Sequence, residues 1–194
     1  MIEAVRLEKR YGRKRVLSSV DLTVATAGFA VVTGANGSGK TTLLRLLAGL
    51  AAPSGGSLTV ALDRSRIGYL AHEPLVYREL TAIENLDLYG RLYHVPERRE
   101  RAGMLLERFD LWEARSELVS TYSRGMAQRL ALCRTLLHDP DLVLLDEPYS
   151  ALDTAGAELL DRELASMAGQ RTLVVATHDP GRIEAMATER LALA

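Results

Sequence analysis

An eight-residue run, Gly34-Ala35-Asn36-Gly37-Ser38-Gly39-Lys40-Thr41, limits the possible folds of this chain more than any other segment. It reads glycine, four residues, glycine, lysine and a hydroxyl residue, which is the spacing of a phosphate-binding loop. Such a loop needs a strand before it and a helix after it. Both flanks fit. Phe29-Ala30-Val31-Val32-Thr33 is a short apolar run, and Thr42-Leu43-Leu44-Arg45-Leu46-Leu47 has a broad apolar helical face. A polyphosphate needs several N–H donors at close range, and side chains would hold it off. Gly34, Gly37 and Gly39 let the backbone wrap the anion. Asn36, Ser38 and Thr42 belong to the same predicted cradle. The helix that follows points its positive end at the charge. Lys40 supplies a mobile cation for the outer phosphates, and the Thr41 hydroxyl suits Mg²⁺. The expected ligands are therefore ATP and Mg²⁺.

Leu142-Val143-Leu144-Leu145-Asp146-Glu147-Pro148 supplies the second half of this site. A continuous apolar run suits a strand covered on both faces. Two carboxylates at its end are costly in apolar surroundings unless something uses them. Asp146 can hold Mg²⁺ through water. Glu147, one residue on, can act as general base toward a water attacking the γ-phosphate.

In combination these segments resemble the nucleotide-binding subunits of ATP-binding-cassette (ABC) transporters. Tyr122-Ser123-Arg124-Gly125-Met126 resembles the family's Leu-Ser-Gly-Gly-Gln signature. Ser123 and Gly125 match it, whereas Arg124 and Met126 depart from it. Ser123 is also a good helix N-cap. The resemblance implies that Ser123 and Gly125 contact the ATP held by a second copy, so a homodimer closing on two nucleotides is expected. By the same resemblance Tyr11 stacks on adenine and Ser150-Ala151-Leu152-Asp153 links the two sites. His178, in Ala176-Thr177-His178-Asp179, is implied to contact the γ-phosphate and hold Glu147 and water in line, so catalysis rests on Glu147, His178 and Lys40. The family usually has glutamine where this chain has His72, in Leu70-Ala71-His72-Glu73. His72 is thus a candidate for the metal and water position. That histidine, with Glu79-Leu80-Thr81-Ala82-Ile83-Glu84-Asn85-Leu86 and the Tyr-Ser-Arg-Gly-Met signature, resembles the haem-exporter ATPases of cytochrome c maturation. The implied function is an ATPase that drives a membrane exporter of haem, with an exporter of another cargo, a drug, lipid or polysaccharide, as the alternative.

The implied fold is α/β, a P-loop NTPase of ABC type. It has a mainly parallel core sheet, an N-terminal antiparallel β lobe and a helical subdomain. Residues 1–71 and 139–194 are expected to form the core with its β lobe, and residues 72–138 the helical subdomain, all within one domain. Ser54 to Val60 is a shortened β stretch. Thr81-Ala82-Ile83-Glu84 has the form of a capping box. Pro96-Glu97 opens another predicted helix, with Ala102, Leu105, Leu106 and Phe109 on one face. No added regulatory domain is expected after Leu191-Ala192-Leu193-Ala194.

Composition is consistent with this picture. The chain has 194 residues, enough for one domain with a real core. Net charge is −1, so no general attraction to nucleic acid is expected. Residues 1–71 carry ten Lys/Arg and four Asp/Glu, net +6, and the remainder fourteen and twenty-one, net −7. The basic part holds the phosphate loop. Cys133 is the single cysteine and has core spacing, which rules out an internal disulfide and suits a reducing compartment. No secretion signal is visible, and no apolar run approaches the roughly 18–20 residues of a membrane span. The expected location is cytoplasmic, peripheral on the inner face of the membrane, with the spans supplied by a permease subunit. Two other readings compete with this one. A non-transport relative in translation or DNA repair would carry tandem cassettes, a coiled-coil insertion or basic extensions. A small-molecule kinase would need an arginine-rich lid.

Overall fold

The computed structural model describes residues 1–193. In chain order the elements are β1 (Ile2–Tyr11), β2 (Lys14–Val24), β3 (Phe29–Gly34), α1 (Lys40–Leu47), β4 (Gly55–Val60) and β5 (Ile67–Leu70). There follow α2 (Ala82–Leu92), α3 (Arg98–Arg108), α4 (Arg124–Leu136), β6 (Leu142–Asp146), α5 (Thr154–Met167), β7 (Thr172–Thr177) and β8 (Glu189–Leu193). Two sheets result. One is antiparallel, in the order β2-β1-β4. The other has the order β5-β6-β7-β3-β8, and every pairing in it is parallel.

The apolar run of β6 serves two cores at once, because successive strand residues point to opposite faces. Val143 and Leu145 join one buried cluster, and Leu142 and Leu144 join the other. β3 and β7 divide in the same way, with Phe29, Val31, Leu173 and Val175 on one side and Ala30, Val32, Val174 and Ala176 on the other. The first face is covered by α2–α5. The second is covered by α1 and the antiparallel sheet, through Leu43, Leu44, Leu7 and Leu22 among others. A sheet covered on both sides is what its unbroken apolar strands require.

Local chemistry sets the helix starts. The Thr81 hydroxyl accepts the Glu84 N–H while the Glu84 carboxylate accepts the Thr81 N–H, which completes the expected capping box. Ser123 accepts the Met126 N–H at 3.1 Å and caps α4. α3 begins at Arg98, slightly later than the sequence suggested. Glu97 takes a left-handed φ of 48° and cannot serve as a helical residue there. Ala102, Leu105, Leu106 and Phe109 are buried together as expected. Cys133 is buried, and burial pushes its thiol well above the usual range.

Strand order decides where the site lies. Ligands of open α/β sheets bind at the carboxyl ends of the strands. The carboxyl ends of β5, β6, β7 and β3 are neighbours and lead into His72, Asp146-Glu147, His178 and the Gly34–Thr41 loop. Four segments far apart in sequence therefore meet on one edge.

Candidate nucleotide-binding site

A cleft of about 380 Å³ opens on that edge. Asn36, Gly37, Gly39, Lys40, Thr41 and Thr42 line it, opposite His72, Asp146 and Glu147. Gly39 is the N-cap of α1 and has φ 104°, with no side chain closing the helix end. A Cβ there would lie 2.6 Å from Leu17 Cδ2 and 3.0 Å from the Val16 carbonyl oxygen, so only glycine fits. The first N–H groups of α1 thus face the cleft as anion donors.

Lys40 is almost wholly buried. Its ammonium donates to the Gly34 carbonyl at 2.7 Å and to that of Ala35 at 3.4 Å, and lies 3.2 Å from Glu147 Oε1. That last contact is an ion pair without hydrogen-bond geometry, since Oε1 accepts no hydrogen bond. Glu147 Oε2 is 2.9 Å from His178 Nδ1 and accepts the His178 N–H at 3.3 Å. Glu147 itself has φ 48°, a left-handed conformation rare outside glycine, and its N–H donates to Ala176 O at 2.8 Å. Strain of this kind costs on the order of 1–3 kcal/mol and collects at functional sites. Here it turns Glu147 away from the path of β6, so that the two adjacent carboxylates take different neighbours.

Asp146 is 1% exposed, and its Oδ2 has no hydrogen-bond partner. Burial raises its carboxyl above the ordinary aspartate range. The Thr41 hydroxyl, then the charges of His72 and Lys40, pull it back. A buried carboxylate oxygen without a protein partner, beside a hydroxyl, fits a hard cation that takes oxygen ligands. Among the described residues no three His, Cys, Asp or Glu side chains cluster as a metal cage. A bound Mg²⁺ would be held by Thr41 and Asp146, with phosphate and water as the remaining ligands, and would neutralise charge on the outer phosphates.

An ionised Asp146 is a cost to the protein when no cation is present. Its folded-state value lies above the unfolded one, so its contribution to stability is complete below the unfolded value, about 3.9, and is lost as pH rises through the raised folded value. Asp146→Asn should therefore raise Tm at pH 7 without Mg²⁺. The gain should shrink as pH falls below about 4, where both side chains are neutral. Calorimetry at the two pH values checks this, and Mg²⁺-dependent nucleotide affinity should fall in the same variant.

The other expected site residues sit further out. His178 is exposed and reaches the site through Glu147. Ser38 Oγ is buried and unpartnered below the loop, and Gly34 lends its carbonyl to Lys40. Tyr11 stands at the tip of the β1–β2 hairpin, half exposed, with the Lys9 ammonium 5.0 Å from its ring centroid. It does not line the cleft, whereas Lys14 and Val16 on β2 do. Sequence reasoning missed both. The signal was the short turn at Gly12, which pairs Tyr11 with Lys14. Ser123 and Gly125 are also absent from the cleft wall. They lie at the start of α4, where a Cβ on Gly125 would come within 3.1 Å of the Ala151 carbonyl. Gln128, one turn on, donates to the Pro148 carbonyl at 3.2 Å. The signature-like segment thus packs on the loop after Glu147, and its capped helix end lies outside the cleft wall.

A phosphate loop after β3, a carboxylate pair at the end of β6 and a histidine just past β7 define a nucleotide-binding P-loop protein. The ABC transporter family profile matches residues 17–150. The chain belongs to the ABC transporter family, and its fold is that of an ABC ATPase. It is 41% identical over 182 residues to a daunorubicin resistance ATP-binding protein of Streptomyces coeruleorubidus, covering 88% of this chain and 58% of that one. It is 36% identical over 192 residues to a Nod factor export ATP-binding protein of Cupriavidus pinatubonensis, covering 92% and 58%. The chain therefore spans under two thirds of the length of these curated relatives. Among solved structures, the dimeric ATP-binding cassette MJ0796, bound to ADP and phosphate in a post-hydrolysis state, matches with a TM-score of 0.89 at 26% identity, over 100% of this chain and 94% of that one.

Proposed function

We propose that this chain is the ATP-hydrolysing cassette of an ABC exporter and works as a pair of cassettes closing on two ATP–Mg²⁺. One observation carries the reading. The cleft holds the phosphate loop, Asp146 and Glu147, while the capped start of α4, with Ser123 and Gly125, lies outside it. A second chain would bring that helix end to the outer phosphates. The dimeric state of the structural relative supports this. Lys40 and the loop N–H groups bind the phosphates, Thr41 and Asp146 hold the cation, and Glu147, aligned by His178, takes the proton of the attacking water.

The test is assembly. With Glu147→Gln and saturating MgATP, the chain should sediment as a dimer. A mixture of Lys40→Met and Ser123→Arg chains, each inactive alone, should regain turnover, because one composite site in the mixed dimer is intact. A strictly monomeric ATP-loaded variant, beside wild-type chain that hydrolyses ATP at full rate, would rule the pairing out.

A membrane subunit is the second partner. Among the described residues no helix is long and apolar enough to cross a membrane. A groove of about 560 Å³ is lined by Leu50, Tyr69, Leu75, Tyr89, Leu92 and Tyr93, and four of these are exposed large apolar residues. It borders the segment leading to His72. It is the surface on which a permease segment would dock, with the chain peripheral on the inner membrane face. For cargo, the names of the relatives favour a drug or another exported small molecule over haem, since daunorubicin resistance and Nod factor export stand where the haem resemblance would need support. Stimulation of ATPase activity by daunorubicin rather than haem, with the co-purifying membrane subunit in place, decides between them.

A further inference from the structure

We propose that Arg134, near the end of α4, is a positioning residue that holds the His72 segment in its place at the cleft. This deepens the reading above and rests on it. Residues 71–80, between β5 and α2, include no helix or strand. The stretch carries His72 to the cleft wall and must be held from outside. Arg134 Nη1 donates to the Leu75 carbonyl at 3.0 Å, and its Nη2 to the Tyr69 carbonyl at 3.4 Å. Those two carbonyls bracket His72. Leu75 has φ 50°, a strained conformation for a leucine, and its carbonyl also accepts the Tyr89 hydroxyl at 3.3 Å. The guanidinium lies 5.3 Å from the centre of the Tyr89 ring. Such strain persists only where the surroundings over-determine it.

Arg134 makes no ion pair among the described residues, so its fork is devoted to these carbonyls. A planar guanidinium spans two separated acceptors with a rigid fork, whereas an ammonium is a single compact donor on a flexible stem. The brace has a mechanical consequence. Arg134 and Ser123 lie near opposite ends of α4, whose 13 residues form a rod of about 20 Å. Movement of the helix end that meets the partner's nucleotide is carried to the His72 segment of the same chain.

The experiment is a double-mutant cycle. Arg134→Met keeps the apolar stem and removes the fork, and Arg134→Lys keeps the charge. Each is made in the wild-type and His72→Ala backgrounds, with kcat, KM for MgATP, ADP affinity and Tm measured. Arg134→Met should lower kcat roughly tenfold, with KM and ADP affinity within about twofold of wild type. Arg134→Lys should fall between. In the His72→Ala background Arg134→Met should change kcat by less than about twofold. An unchanged kcat, or an equal loss in both backgrounds, overturns the proposal, and so does a KM that rises with the loss. The His72 ring-proton resonance, identified among the four histidines by its loss in His72→Ala, gives a readout free of turnover. It should move in Arg134→Met while that of His178 stays. A wild-type chain that hydrolyses no ATP refutes the functional reading alone, and an unmoved His72 resonance refutes the brace alone.

Discussion

Glu147→Gln is expected to cut ATP turnover by about 10²–10⁴-fold and to leave nucleotide binding in place. The two halves of that result have separate causes. On the proposed reading, binding depends on the loop N–H groups between β3 and α1 and on Lys40 at the start of α1. Glu147 lies across the cleft at the end of β6 and is oriented by His178 Nδ1 at 2.9 Å. The carboxamide has the shape of the carboxylate but cannot accept the proton of the attacking water. Phosphate release measured at saturating MgATP reports the loss, and a fluorescent ATP analogue reports the retained affinity. Equal turnover in the variant would remove Glu147 from the role of general base. Tenfold weaker ATP binding would mean that Glu147 organises the phosphate loop.

The second large effect concerns Lys40. Its side chain is 7% exposed and that of Glu147 10%. Removing one member of a buried pair strands the other charge, at a cost of about 3–5 kcal/mol. Lys40→Met should lose stability of that order. It should also weaken nucleotide binding roughly ten- to a hundredfold, the worth of a hydrogen bond to a charged group. The double variant Lys40→Met/Glu147→Gln separates the two effects. Taking away the stranded carboxylate should restore most of the stability and none of the affinity. Urea midpoints at constant slope measure the first quantity and nucleotide titration the second. A double variant as unstable as Lys40→Met alone would show that Lys40 stabilises the fold through the Gly34 carbonyl instead of through Glu147.

Relative to a sequence reading, the site divides sharply. The Gly34–Thr41 loop, Asp146-Glu147 and the caps at Thr81 and Ser123 were legible because each is a local requirement. A glycine must sit where a Cβ would strike Leu17, and a hydroxyl or carboxylate must follow where N–H groups need acceptors. Lys14 and Val16 were not legible. They have no motif of their own, and they reach the cleft because the antiparallel sheet places β2 against the phosphate loop. Arg134 also escaped notice, since its partners are main-chain carbonyls 59 and 65 residues away. The haem resemblance rested on His72 and a variant signature, two local features that carry little information about cargo.

Motif spacing alone determined that this chain would cradle a polyphosphate on a strand–loop–helix unit and set two carboxylates at the end of a buried strand, because those demands are met within a few residues. Only the tertiary structure decided that β5, β6, β7 and β3 would end side by side, that Lys40 would meet Glu147 within 3.2 Å, and that the α4 start would lie outside the cleft. The physical reason is that strand order and the division of each strand between two cores are set by packing between distant segments, which no local pattern encodes.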